Sequence, residues 1–152
     1  MTNEQSLVCR ALDRHVIHGR ADELAFAGDG LPMTYAQLLH DSACIAGALR
    51  DIGVTADTQL SLDVPSSREH LIALMACVRL GVEINEDASF AVMGDPPVLT
   101  TPVTEVPWDV LLRAGRVDPA PAPDADPNGY EQRLMAAHGD VLGTLIAGDT
   151  LT

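Results

Sequence analysis

The chain of 152 residues contains no lysine: all nine of its basic residues are arginine, set against 22 acidic ones for a formal net charge of −13. That balance argues against binding to nucleic acid, whose affinity comes mainly from Lys and Arg neutralising phosphates. It argues equally against an acidic membrane surface. Aromatic residues make up only 3% of the chain although 47% is hydrophobic, so any core is built from Ala, Leu, Val, Ile and Met. No run approaches the ~20 apolar residues of a membrane span, and the polar stretch from Met1 to Leu12 lacks the apolar centre of a secretory leader. The three cysteines, Cys9, Cys44 and Cys77, form no CxxC pair, which removes the usual zinc-knuckle and redox motifs. Cys44 and Cys77 fall inside apolar helical patterns and read as small buried hydrophobes. A reduced cytoplasmic setting is expected. Acidity of this degree serves solubility and does not name a partner.

Hydrophobic spacing organises the first two-thirds of the chain. Leu7, Ala11, Leu12, His15 and Val16 recur at helical intervals, with Gly19 as a stop. Glu23 to Gly28 reads as a short strand, Asp29-Gly30 as a turn, and Leu31 to Met33 as its antiparallel return. Thr34 is suited to cap a helix whose apolar face runs through Tyr35, Leu38, Leu39, Ser42, Ile45, Ala46 and Leu49, closed by Gly53. Leu60, Leu62 and Val64 alternate as a strand. After Pro65, Ser66 or Ser67 caps a second helix, Arg68 to Leu80, with Leu71, Ile72, Leu74, Met75 and Val78 on its apolar face. Gly81 ends that helix and Val82 to Ile84 starts another strand. Strand, helix, strand with short joints is a βαβ unit, which requires parallel strands. The expected fold is α/β: a small parallel or mixed sheet flanked by helices.

Beyond Asn85 the pattern thins. Phe90–Met93 and Val98–Thr101 read as short strands broken at Gly94-Asp95-Pro96-Pro97, and Pro107–Ala114 as a brief helix. The expected organisation is an α/β subdomain over 1–114, a Pro/Asp-rich linker or arm over 115–129 carrying Pro119, Pro121, Pro123 and Pro127, and a helical tail over 130–152. Tyr130–Ala137 is helical in pattern, whereas 138–149, with Gly139, Gly143 and Gly148, fits either a continuation or a strand.

Pro32-Met33-Thr34-Tyr35-Ala36-Gln37-Leu38 resembles the "LTYxEL" phrase of the adenylate-forming superfamily, which includes acyl-CoA synthetases, peptide-synthetase adenylation domains and luciferases. The likeness continues in order. Ile52-Gly53-Val54 resembles "LGV", Ala56-Asp57 stands where "GD" begins a strand, Val64-Pro65-Ser66-Ser67 resembles "LPNS", and Leu80-Gly81-Val82 fits "AGAV". The resemblance implies the first part of that superfamily's large N-terminal domain. The parts that would imply chemistry are not matched. No Ser/Thr/Gly-rich phosphate loop occurs, nor the acidic ribose-binding motif, nor the catalytic lysine. Ile84-Asn85-Glu86-Asp87 replaces "PLNP", so the chain departs from the pattern before the ATP-binding motifs.

Candidate chemistry outside the resemblance is sparse. His15 and His18 have chelating spacing but lack a third ligand, and they read as helix-surface or helix-end histidines rather than a metal site. His40-Asp41 are sequential on a helix and point apart. Ser66-Ser67 lack the G-x-S-x-G of a nucleophile elbow. Gly28-Asp29-Gly30 lacks the third glycine of a nucleotide loop, and Glu86, Asp87 and Asp95 read as a solvated acidic stretch. Trp108 reads as an anchor for the tail. No catalytic, cofactor-binding or metal-binding residue is assigned and no cofactor is expected. The composite expectation is a non-catalytic acyl-CoA synthetase-like module that self-associates, foremost as a dimer. The alternatives are a subunit of a split ligase whose ATP site comes from a complementary chain, and an acyl or small-molecule binding module.

Overall fold

A computed structural model describes residues 6–28 and 31–152. The chain forms two compact units, one made of Met1–His40 together with Ala122–Thr152, the other of Asp41–Pro121. Helix α2 (Tyr35–Ile52) runs from the first unit into the second. Among the described residues no helix is long and apolar enough to cross a membrane.

The 41–121 unit carries a five-stranded sheet in the order β4-β3-β5-β6-β7. Its strands are β3 (Gln59–Asp63), β4 (Glu83–Ile84), β5 (Phe90–Met93), β6 (Val98–Thr100) and β7 (Glu105–Pro107). β4 and β5 both pair parallel to β3, while β6 and β7 add antiparallel. β3, helix α3 (Ser67–Leu80) and β4 make the βαβ unit expected from the alternation, and the fold is α/β with a mixed sheet. Leu62, Val92, Leu99 and Val106 stand in cross-strand register, forming one row across four strands. β7 was not legible in advance. At three residues ending in proline it has no alternation to read, and proline on a sheet edge blunts further pairing.

The spacing predicts one apolar face for α3; the structure buries every residue from Leu71 to Arg79. Ala73, Ala76 and Cys77 cause the difference, because their small side chains let neighbours close in on the side a polar residue would have kept wet. Gly81, at φ +72°, takes the left-handed cap that ends the helix. In α2 the stretch from Ser42 to Leu49 is likewise buried all round. Helix α4 (Trp108–Val117) continues three residues past the expected Ala114 and sets the buried Trp108 at its start. The segment after it is held to the same unit. Arg50 Nη2 donates to Asp118 O at 3.0 Å, the Ala120 N–H donates to Ala43 O at 3.0 Å, and Ala120 is buried.

The other unit opens with a π-wound segment, Cys9–Asp13, followed by α1 (Arg14–Ile17), where a continuous helix over 6–17 was expected. β1 (Leu24–Phe26) and β2 (Met33–Thr34) pair antiparallel as predicted; the turn assigned to Asp29-Gly30 lies outside the described residues. Thr34 and Gln37 form a reciprocal capping box at the start of α2, with the Gln37 N–H donating to Thr34 Oγ1 at 3.1 Å and the Thr34 N–H to Gln37 Oε1 at 2.9 Å. Helix α5 (Tyr130–Ile146) continues through the glycine-containing stretch, with a break at His138. After it Leu151 bridges to Phe26, giving β1 a partner on its second edge.

Candidate functional site

Ligands of open α/β sheets sit in the crevice beyond the carboxyl ends of the parallel strands. Here that position is the joint from β3 into α3, facing the end of β5, where the Gly94 N–H donates to Asp63 O at 3.0 Å. Ser66 occupies the N-cap position with extended backbone, yet its hydroxyl caps no backbone N–H. It donates instead to the Glu69 carboxylate, whose other oxygen accepts from Arg68 Nη1 at 3.2 Å. Glu69 therefore places a negative charge in the first turn of α3, where an anionic ligand would otherwise be favoured by the helix dipole. Glu69 thus engages both Ser66 and Arg68 at this joint, while the buried Arg68 Nε has no hydrogen-bond partner among the described residues.

The other candidates are dispersed. An open cleft of about 340 Å³ is lined by Asp57, Thr58, Gln59, Asp87, Ser89 and Phe90. It lies at the amino ends of β3 and β5, opposite the usual crevice. Asp87 precedes β5 and Asp95 follows it, so the two carboxylates stand at opposite ends of that strand, and Glu86, Asp87 and Asp95 are all exposed. Among the described residues no group of three His, Cys, Asp or Glu side chains is placed to hold a metal ion. His18 is exposed, as is His40 beside a half-buried Asp41. Burial raises the Cys44 thiol and pushes Cys77 up to about 12, which keeps both as unreactive thiols at neutral pH.

His15 is the candidate the structure places differently from a helix-surface histidine. It is buried, its Nε2 lies 2.7 Å from Leu145 O, and its ring meets Tyr35 edge-on at 4.9 Å between centroids. Tyr35 in turn donates its hydroxyl to Asp149 O at 2.6 Å. Burial lowers the His15 pKa below its ordinary 6.5, against the Leu145 hydrogen bond, which raises it; Arg14 and Arg20 lower it further and Glu23 raises it. A depressed folded-state value favours neutral imidazole. Its stabilisation is complete above pH 6.5 and is lost as pH falls from there through the lowered folded value. The urea midpoint is expected to drop between about pH 7.5 and 5.5, and to drop less in His15→Gln. Burial also lowers His70, so part of the dependence should survive in that variant. Comparing the two proteins at each pH cancels the general effect of the net charge.

Residues 13–85 match the family model of the AMP-binding enzymes. Over 85 residues the chain is 34% identical to the acetyl-coenzyme A synthetase of Mycobacterium bovis, covering 52% of this chain and 13% of that enzyme. Over 75 residues it is 36% identical to the acetyl-coenzyme A synthetase of Streptomyces coelicolor, covering 46% and 12%. Among solved structures it is similar to a benzoate CoA ligase from Burkholderia xenovorans, at TM-score 0.47 and 21% identity over 55% of this chain and 17% of that one. By the family model and the two synthetases, the matched stretch, residues 13–85, is a segment of the AMP-binding enzymes, of the acyl-CoA synthetase-like kind. The chain spans 13% of the length of the first of these relatives. The match includes the phrases around Tyr35 and Gly81 and ends at Asn85, where the polar replacement begins.

Proposed function

We propose that this chain is a non-catalytic acyl-CoA synthetase-like module that acts in the cytoplasm by associating with another protein chain, a second copy in the first instance. The observation that carries the reading is the use made of residues 86–152. Val92, Leu99, Trp108 and Leu111 complete the core of the 41–121 unit; Tyr130, Leu134, Leu142 and Leu145 complete the other. The residues following the family segment build cores, and they include no lysine and no Ser/Thr/Gly-rich phosphate loop. The purified chain is expected to show no carboxylate-dependent ATP–pyrophosphate exchange with acetate or longer acids, and to elute as a dimer in light scattering at micromolar concentration. Exchange above the no-enzyme background would overturn the non-catalytic reading. A monomer at every concentration would overturn self-association.

A second reading, a subunit whose ATP site is supplied by a complementary chain, is favoured by one observation. Identity of 34% over 85 residues persists in a segment to which no catalytic residue has been assigned. Its mark is a stoichiometric partner bearing a phosphate loop, together with exchange activity that appears only when the two chains are mixed.

A further inference from the structure

We propose that residues 146–151 form a strap that acid releases from the edge of β1, with His15 as its trigger, while the rest of the unit stays folded. Three side chains from the first forty residues hold the strap by its backbone carbonyls. Arg14 Nη2 donates to Ile146 O at 2.9 Å, Arg20 Nη2 to Gly148 O at 2.7 Å and the Tyr35 hydroxyl to Asp149 O at 2.6 Å. His15 stands at the root of the strap, with its Nε2 2.7 Å from Leu145 O. Further on, Thr150 Oγ1 donates to Leu24 O at 2.7 Å, the Leu151 N–H to Ala25 O at 2.8 Å and the Ala27 N–H to Leu151 O at 2.7 Å, which lays the strap along β1. After Leu145 only Gly148 is buried, so lifting the strap exposes little apolar surface.

The holders differ in how they respond to acid. Arginine stays charged at any accessible pH. Burial pushes Tyr35 up to about 12, so its hydroxyl remains a neutral donor. Of these groups His15 alone changes charge near neutral pH. Burial, the largest influence, lowers it below 6.5; the Leu145 hydrogen bond raises it, Arg14 and Arg20 lower it, and Glu23 raises it. Glu23 is itself committed to Arg20, at 2.7 Å. Charging His15 places a third cation near the two guanidinium groups that grip Ile146 O and Gly148 O, edge-on to the ring that grips Asp149 O. The repulsion is reciprocal: the arginines that disfavour the imidazolium are disfavoured by it. It is relieved when the guanidinium groups turn to solvent and water reaches the imidazolium, and both movements give up the strap. Closure therefore favours the neutral ring. The closed strap is fully held above pH 6.5 and gives way as pH falls from there through the lowered value.

Amide hydrogen exchange in the whole 15N-labelled chain tests the release, with rates corrected for the intrinsic effect of pH. The reporters are the Ala27 and Leu151 N–H groups, which join strap and β1. Ala36, whose N–H donates to Ala21 O at 3.0 Å in the same unit, is the reference. Protection of the two reporters should fall by about tenfold per pH unit from 6.5 down to the midpoint of the His15 ring, with Ala36 unchanged. In His15→Gln the fall should vanish. Should that variant not fold, the His15 ring-proton titration of the wild type gives the second measurement, and its midpoint should coincide with the foot of the fall in protection. Reporter protection that is independent of pH would overturn the release. A parallel fall at Ala36 would mean that the unit opens as a whole and has no strap. A fall that persists in folded His15→Gln, or ends at a different midpoint, would overturn His15 as the trigger.

Discussion

Gly115→Ala is expected to unfold the 41–121 unit or to cost it at least about 3 kcal/mol, the upper end of what overpacking usually costs. A Cβ on Gly115 would lie 1.7 Å from Cys44 O and 2.7 Å from Cys44 Cα, so α4 approaches the backbone of α2 where no side chain fits. The atoms in the way are main-chain atoms inside a buried helix and cannot swing aside. Alanine's helix propensity favours the substitution by about 1 kcal/mol, so the clash decides the sign. Gly47, whose Cβ would lie 2.2 Å from Asp118 O, should respond in the same direction. Gly139→Ala is the control. Its Cβ would meet nothing within 4 Å among the described residues, so the substitution should leave stability equal or slightly higher. Urea titrations followed by circular dichroism measure all three. Wild-type stability in Gly115→Ala would mean that the two helices do not approach as described.

The same glycines mark a limit of reading the sequence. Inside a helical pattern Gly47 and Gly115 look only like weak points, because the reason for each is a backbone distant along the chain. The elements legible in advance carry their own periodicity. α2 and α3 do so by helical spacing, β3 by alternation, and Gly81 by its place after the last apolar residue. β5 and β6 were legible by their flanking turn residues. β7 carries no such pattern. The union of the two chain ends was hidden for another reason: Arg14, Arg20 and Tyr35 donate to backbone carbonyls, and a carbonyl leaves no mark on the residue type that bears it. His15 was half legible. It shares the apolar spacing of Leu7, Ala11 and Leu12, yet its pairing with His18 reads as a helix-surface or helix-end histidine, and the structure instead buries it against Leu145 O. Of a chemical site only the surroundings were legible. The phrases from Pro32 to Val82 identify a segment of the adenylate-forming superfamily, while Ser66, which the sequence offers as a cap, is turned to Glu69.

Leu74→Asp is expected to abolish soluble, folded protein. Leu74 is 1% exposed at the centre of a helix buried on all sides, with Met75, Ala76, Cys77 and Val78 following it into the core. A carboxylate there is shut off from water. Protonation relieves the charge but leaves a buried polar group, and the combined loss should exceed about 4 kcal/mol. Against a total stability on the order of 5–15 kcal/mol, that removes much or all of the margin. A graded series separates burial from any particular effect of aspartate. Leu74→Met should lose under about 1.5 kcal/mol, since it conserves volume. Leu74→Ala should lose about 2–5 kcal/mol by leaving a cavity. Leu74 lies inside the family segment, whereas Val92, Leu99 and Leu111, which help complete the core of its unit, lie beyond residue 85. If the aspartate variant were folded and as helical as the wild type, α3 would not be the core helix of the βαβ unit. The role given to residues 86–121, completing the unit around it, would fall with that placement.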